Sequence, residues 1–282
     1  MLCKIVIVLV MLSCLMAGAA HAAPSAKLGG LEVVSLTDAR GRAPASLLVG
    51  ATEEELARHV PDGEMDSQVL AFLVRFPGRA VLFDAGLGAA AGGRMMDELE
   101  EAGVAPSDVD AVLLTHLHRD HFGGLVDAEG RAAFPKAEVW LSRIERDWWV
   151  DEREDEAVAR ALGLYEEEGR LRLFEFGDEP LPGVTALDAS GHTPGHTAFH
   201  VEADGGELLV VGDAVHFAEI QLPCPHVAVT YDVDPTKAPE ARRLVLGRAV
   251  EEGIPVAGMH LPVPGLWRIA RSGEGYEMSP MR

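Results

Sequence analysis

Short apolar segments rich in β-branched and aromatic residues alternate with amphipathic stretches along the chain. Period-two alternation and short apolar runs predict strands, whereas apolar positions repeating every three to four residues predict helices. The predicted strands are Leu31–Leu36, Val69–Phe76, Ala80–Asp84, Val109–Leu114, Glu138–Leu141, Leu171–Phe176, Val184–Ala189, Ala198–Glu202, Glu207–Val211 and Pro255–Met259. The predicted helices are Met95–Ala102, Ile144–Val150, Asp155–Glu168 and Pro239–Glu252.

The strands come in two batches, and each batch contains helices. This order is typical of an α/β sandwich in which two sheets lie inside and helices cover the outer faces. Neither a Gly/Ser-rich nor a Pro-rich linker divides the chain after its N-terminal segment, and no internal repeat is visible. We therefore predict a single domain over residues 24–282.

The N-terminal segment has the character of a secretory signal. Lys4 precedes an apolar run from Ile5 to Met16, and small residues ending in Ala20-His21-Ala22 follow it. We predict a cleaved signal peptide over residues 1–23 and a periplasmic or secreted protein, with an uncleaved anchor as the alternative. The apolar run is short for a bilayer, which needs about 20 residues, so we expect no stable membrane insertion after cleavage.

Composition narrows the functional classes. The chain carries 45 acidic and 24 basic side chains, a formal net charge of -21. Surfaces that follow phosphate backbones need clustered Lys and Arg, so we expect no nucleic acid partner. Of the three cysteines, Cys3 and Cys14 fall in the predicted signal. Only Cys224 remains, so the mature chain is expected to lack an internal disulfide.

Candidate metal ligands cluster directly after the buried strand that ends at Leu114. The next residues are Thr115-His116-Leu117-His118-Arg119-Asp120-His121-Phe122-Gly123-Gly124. Imidazole and carboxylate groups are common zinc ligands, and alternation places His116 and His118 on one side of an extended chain. Further candidates follow later strands: His192 and His196 in one loop, Asp213, and His260.

These motifs resemble the metallo-β-lactamase-fold hydrolase superfamily. Its H-x-H-x-D-H motif appears as residues 116–121, and a later His, a bridging Asp and a final His follow in order. The resemblance implies an αββα sandwich of two mixed sheets and two divalent metal ions, with zinc favoured. It implies one metal on His116, His118 and His196, a second on Asp120, His121 and His260, and Asp213 between them. His192 is then expected to support the site without ligating.

Within the superfamily the chain is most similar to the N-acyl-homoserine lactonase and methyl-parathion-hydrolase-like group, and this resemblance implies a small-molecule substrate. Residues 212–216, 225–227 and 232–234, together with the predicted signal, look like the latter subgroup. Many lactonases have Tyr three residues after the bridging Asp, where it contacts the substrate. Here that position is His216, which is a candidate catalytic residue or a structural histidine near the site.

The predicted chemistry is hydrolysis. Two metals would lower the pKa of a shared water, and the resulting hydroxide would attack a lactone or ester carbonyl or a phosphotriester. Asp120 is expected to orient the nucleophile and pass a proton to the leaving group, beside its role as a ligand. A zinc β-lactamase and a non-catalytic metal-binding protein are the alternatives. Apolar residues near Trp148 and Trp149 are candidates for a homodimer contact.

Overall fold

The computed structural model describes residues 23–281. Residues 1–22 of the predicted signal segment, including Cys3 and Cys14, lie outside this range. Within it the strands are β1 (Ser25–Leu28), β2 (Leu31–Pro44), β3 (Leu48–Val49), β4 (Glu64–Phe76), β5 (Arg79–Phe83), β6 (Ala111–Leu113), β7 (Glu138–Ser142), β8 (Leu171–Phe174), β9 (Val184–Asp188), β10 (Thr197–Ala203), β11 (Gly206–Gly212), β12 (Ala228–Val229), β13 (Val256–Gly258), β14 (Leu266–Ser272) and β15 (Gly275–Pro280).

The α-helices of the same part of the chain are α1 (Glu53–His59), α2 (Met95–Glu101), α3 (Arg119–Phe122), α4 (Arg143–Asp147), α5 (Glu156–Glu166), α6 (Ala218–Gln221) and α7 (Lys237–Glu252). Helix α5 begins where Asp155 accepts hydrogen bonds from the backbone N–H groups of Ala157 and Val158. Helix α4 continues into a π-helical turn, Trp148–Glu152. None of the helices in residues 23–281 has the length and apolar content that a bilayer crossing requires.

Two mixed sheets form the centre of the fold. One sheet has the strand order β1-β2-β4-β5-β6-β7-β8, and the other has the order β15-β14-β13-β11-β10-β9. Strands β5 to β8 run parallel, as do β11 and β13, while the remaining neighbours in both sheets are antiparallel. A separate antiparallel pair joins β3 to β12.

Alternation along the strands builds the layers of the sandwich. On β11, Leu208 and Val210 pack between the sheets, whereas Leu209 and Val211 pack in the layer that contains Leu246 of α7. On β5, Phe83 likewise points between the sheets, and its ring lies 5.5 Å from that of Phe199. The predicted αββα sandwich with helices on the outer faces is confirmed.

The sequence missed several parts of the sheets, among them β1 and the first residues of β4. The terminal hairpin of β14 and β15 was not predicted, and β2 extends to Pro44 instead of ending at Leu36. Beyond Leu36, β2 becomes polar and exposed at Arg40, Gly41 and Arg42. The segment is held as a strand by its pairing with β4, so the local apolar pattern cannot show where the strand ends.

Candidate metal centre

The chemistry-bearing side chains meet at one edge of the sandwich. Strands β11 and β13 are parallel and end at this edge, directly before Asp213 and near His260. Strand β9 runs in the same direction because both β9 and β11 are antiparallel to β10, so its following loop carries His192 to the same edge. From the other sheet, β6 ends shortly before His116.

One group of donor atoms contains three histidines and a carboxylate. His116 Nε2 lies 2.9 Å from His118 Nδ1 and 3.2 Å from His192 Nε2, and His118 Nδ1 lies 2.9 Å from His192 Nε2. Asp213 Oδ2 lies 3.2 Å from the His192 nitrogen and 3.6 Å from the His116 nitrogen. These four side chains converge on one point.

A second group lies on the other side of Asp213. Asp120 Oδ2 is 3.6 Å from His121 Nε2 and 3.4 Å from His260 Nε2. Asp213 closes this group as well, because its Oδ1 is 3.2 Å from His121 Nε2 and its Oδ2 is 3.1 Å from His260 Nε2. The Asp213 carboxylate therefore lies between two sets of donors and belongs to both.

Hydrogen bonds behind the histidines determine which nitrogen carries the proton. His121 Nδ1 lies 2.7 Å from Asp84 Oδ2, and His192 Nδ1 lies 2.9 Å from Asp232 Oδ1. His260 Nδ1 lies 2.6 Å from the carbonyl oxygen of Gln68. These oxygens only accept, so each Nδ1 must donate its hydrogen, and each Nε2 lone pair points into the cluster.

His116 also carries its hydrogen on Nδ1, because of its contact with Thr115. The Thr115 hydroxyl donates to Asp84 Oδ2 at 2.8 Å, so at 3.1 Å from His116 Nδ1 it acts as the acceptor. The Nε2 lone pairs of His116 and His192 thus face each other at 3.2 Å. Two lone pairs this close repel each other unless a proton or a cation lies between them.

The donors of the first group lie close enough together to share one metal ion. A tetrahedral zinc site with bonds of about 2.0–2.3 Å has ligand-to-ligand edges of roughly 3.3–3.8 Å, and the edges of the first group, at 2.9–3.6 Å, reach this range or lie slightly below it. Three buried side-chain atoms in this region also have no hydrogen-bond partner in the described chain: His121 Nε2, Asp213 Oδ1 and His216 Nδ1. Two of these atoms belong to the second group, so both groups fit a cation.

The pKa shifts of the clustered histidines also favour a cation in the first donor group. Burial opposes a charge on His192, but hydrogen bonds to Asp213 and Asp232 outweigh it and raise the pKa of His192 to about 9. Burial together with the charge on His192 lowers the pKa of His118 to about 3. Without a metal, the buried carboxylates hold a proton on His192, and a divalent cation would displace that proton.

The expectation about the two histidines of the 191–197 loop is corrected by this geometry. His196, not His192, was expected among the ligands. However, His196 Nδ1 donates to the Ala189 carbonyl at 2.9 Å, and its Nε2 accepts the Asp213 backbone N–H at 3.0 Å. Its available lone pair is already used, so His196 orients Asp213 while His192 faces the cluster. The other six predicted ligands are brought together.

Several supporting residues were not among the predicted site residues. Asp84 holds a positive φ of 59° at the end of β5, and its carboxylate accepts from Thr115 and His121. Asp232 and Gln68 support His192 and His260. Each is a buried polar residue in or next to a strand or turn, and that placement is the only signal in the sequence that could have found them.

His216 lies against the second group. Its Nε2 is 3.0 Å from Asp213 Oδ2, and its ring stacks on that of His260 with centroids 4.9 Å apart and planes 12° apart. Burial lowers the pKa of His216 to about 4, even though Asp213 opposes this shift. His216 is therefore a neutral side chain in the cluster, where the sequence placed a candidate catalytic residue.

A cavity of about 420 Å³ opens onto Asp120, Asp213, His216 and His260. Its remaining walls are Ser67, Val69, His118, Arg119, Phe217 and Tyr231. Phe217 lies in its wall, whereas Trp149 packs edge-on against His118 at 5.6 Å. Phe122, Leu222 and Trp267 pack in the cores on either side. A larger hollow of about 670 Å³ lies away from this edge, beside β1 and β14.

Residues 65–268 match the family model of the metallo-beta-lactamase superfamily, and the chain belongs to that family. An N-acyl homoserine lactonase from Bacillus thuringiensis is 28% identical over 129 residues, which is 45% of this chain and 46% of the relative. The chain thus spans about half the length of the curated lactonases that it matches.

Two solved structures are similar over nearly the whole chain. The hydrolase AbOPH of the beta lactamase superfamily shares 27% identity, with a TM-score of 0.84 over 93% of this chain and 98% of that one. AidC, described as a dizinc quorum-quenching lactonase in complex with a product, shares 25% identity. Its TM-score is 0.81 over 92% of this chain and 97% of its own.

Proposed function

We propose that this protein is a dinuclear metal-dependent hydrolase that opens a lactone or a related small ester. The position of Asp213 between two complete donor groups is the observation that carries this proposal. The resemblance to AidC and to the Bacillus lactonase supports the choice of a lactone. Two divalent cations in these groups, with zinc favoured by the His/Asp donors, would supply an activated water and polarise the attacked oxygen.

The chain's own residues bind and orient the substrate. Val69, Phe217 and Tyr231 give the cavity apolar walls, while the metal ligands form its floor. Tyr231 lies with its ring 5.8 Å from that of His216, and burial together with the charge of Asp120 raises the pKa of its phenol. A phenol that stays neutral can donate a hydrogen bond to the substrate.

Asp120 is the group placed to move a proton. Its Oδ2 points at His121 and His260, and the residue also lines the cavity. This leaves Oδ1 to take a proton from the nucleophile and return it to the leaving oxygen. His216 occupies the position where many lactonases have Tyr, and Tyr231 offers a phenol to the same cavity from another loop.

The proposal is tested on protein loaded with zinc and checked for bound metal. We expect two equivalents of zinc and a higher kcat/KM on an N-acyl-homoserine lactone than on an aryl ester, methyl parathion or nitrocefin. Asp213→Asn should lose turnover on all of them. His200→Gln, at a histidine on β10 outside the cluster, should not. Preference for methyl parathion or nitrocefin would refute the lactone assignment. Two bound equivalents without turnover on any substrate would favour a metal-binding protein.

We also propose that the protein is exported. The support is the signal pattern at residues 1–23 of the sequence. Cell fractionation should find the protein in the periplasm or medium, and N-terminal sequencing should begin near Ala23 or Pro24. An intact N-terminus on protein confined to the cytoplasm would contradict export without affecting the proposed activity.

A further inference from the structure

We propose that Glu145 is a positioning residue that assembles the three-histidine metal position from two separate loops. Glu145 lies on α4, is fully buried, and is not a member of either donor group. The inference rests on the metal centre proposed above.

The two oxygens of Glu145 bind different parts of the chain. Oε1 accepts from the backbone N–H of Leu117 at 3.0 Å and from the indole N–H of Trp149 at 2.7 Å. Oε2 accepts from the Thr193 hydroxyl at 2.8 Å and from the backbone N–H of Gly195 at 2.9 Å. One carboxylate therefore bridges two loops that are far apart in sequence.

The bonded groups are neighbours of the ligands. Leu117 lies between His116 and His118, and Thr193 directly follows His192. Fixing these backbones relative to each other fixes the distances among the three donor nitrogens, which are 2.9–3.2 Å. A donor position that shifts by a few tenths of an ångström weakens a metal site, because its bonds tolerate only about ±0.2 Å.

The contact at Gly195 shows how closely the two loops approach. A Cβ at Gly195 would lie 2.3 Å from the backbone nitrogen of Glu145, so only glycine permits this distance. The four groups bound to Glu145 all donate, and only a carboxylate presents acceptors in every direction. In Glu145→Gln the amide N–H₂ would face either Leu117 and Trp149 or Thr193 and Gly195. In the first orientation the Leu117 and Trp149 bonds would both be lost; in the second the Gly195 bond would be lost, while the Thr193 hydroxyl could accept from the amide.

The test is zinc titration against a chromophoric chelator, with unfolding in urea measured on the same metal-free proteins. The wild type should bind two equivalents. In Glu145→Gln the affinity for one zinc equivalent should fall by about 10–100-fold, which is the typical effect of losing a residue that supports metal ligands. The affinity for the other equivalent should stay near the wild-type value. Thr193→Val, which removes one bond and keeps the shape, should weaken the equivalent that Glu145→Gln weakens, but to a smaller extent.

Asp38→Asn is the matched control. Asp38 is also a buried carboxylate that accepts backbone N–H groups, from Leu87 at 2.7 Å and Met95 at 2.8 Å, but neither belongs to a ligand loop. The Asp38→Asn variant should have a lower free energy of unfolding than the wild type and keep both wild-type zinc affinities.

Combining Glu145→Gln with His192→Ala should add little further loss, because both variants act on one metal position. Wild-type affinities in Glu145→Gln, or equal weakening of both equivalents, would overturn the inference. A wild type that binds fewer than two equivalents would instead refute the metal centre itself.

Discussion

Replacing His192 and, separately, His196 by alanine distinguishes a ligand from a residue that orients one. The two histidines lie in the same loop, four positions apart, and both are buried. In the structure His192 Nε2 is 2.9 Å and 3.2 Å from the other two histidine nitrogens of its group. His196 instead uses its two nitrogens on the Ala189 carbonyl oxygen and, at 3.0 Å, on the Asp213 backbone N–H.

The expected magnitudes differ because one variant removes a donor and the other a supporting bond. A four-donor zinc site binds with roughly 10–16 kcal/mol of apparent free energy, so one donor contributes about 2.5–4 kcal/mol. At about 1.4 kcal/mol per tenfold, His192→Ala should weaken one zinc equivalent by roughly 10²- to 10³-fold. His196→Ala should cost about 10- to 100-fold.

The assay is the absorption spectrum of the protein loaded with Co²⁺, recorded alongside the zinc titration. His192→Ala should change the spectrum of one cobalt position, and added imidazole should restore it by filling the vacated donor site. His196→Ala should keep the spectrum of both positions, because the donor atoms are unchanged. Loss of one equivalent in His196→Ala with two retained in His192→Ala would refute the assignment and restore His196 as the ligand.

Three further outcomes are expected. Gly212→Ala should lower the free energy of unfolding by about 1–3 kcal/mol in urea titrations, because φ is +52° and a Cβ would lie 2.4 Å from a buried imidazole nitrogen. Gly163→Ala, with nothing within 4 Å, is the control and should not destabilise. Asp84→Asn should weaken zinc binding about 10- to 100-fold through His121, measured by chelator competition. In the metal-free protein the pKa of His192 is raised to about 9. Protonated His192 should therefore contribute fully to the free energy of unfolding below about pH 6.5, and this contribution should be lost as the pH rises through about 9. A urea midpoint that rises over this pH range would contradict the prediction.

Much of the fold could be predicted because apolar periodicity is a local property. The central strands β5, β6, β10 and β11 were found close to their observed bounds, since each alternates between two cores or is buried on both faces. The hairpin of β14 and β15 was missed because its residues are mostly exposed and held by pairing. Pairing partners cannot be read from a local pattern.

The candidate site was also largely predictable. His116, His118, Asp120 and His121 are adjacent in sequence, and Asp213 and His260 each follow a buried strand closely, so polar groups at strand ends marked them. The supporting residues are buried polar residues that act through a side chain, as Asp84 and Asp232 do, or through a backbone carbonyl, as Gln68 does, and their partners come from other elements. Their roles follow only from which atoms are brought together.

The amino-acid sequence by itself determined the two-sheet fold, the donor types and six of the seven side chains that meet in the two donor groups, because strand periodicity and strand-end polar residues are local features. Only the tertiary structure decided between His192 and His196. Both stand in the same loop with the same side chain, and their difference lies in partners remote in sequence: Asp232, 40 residues away, bonds His192, and the Asp213 backbone, 17 residues away, bonds His196. A histidine ligates through the nitrogen that its other contacts leave free, and those contacts exist only in the folded chain.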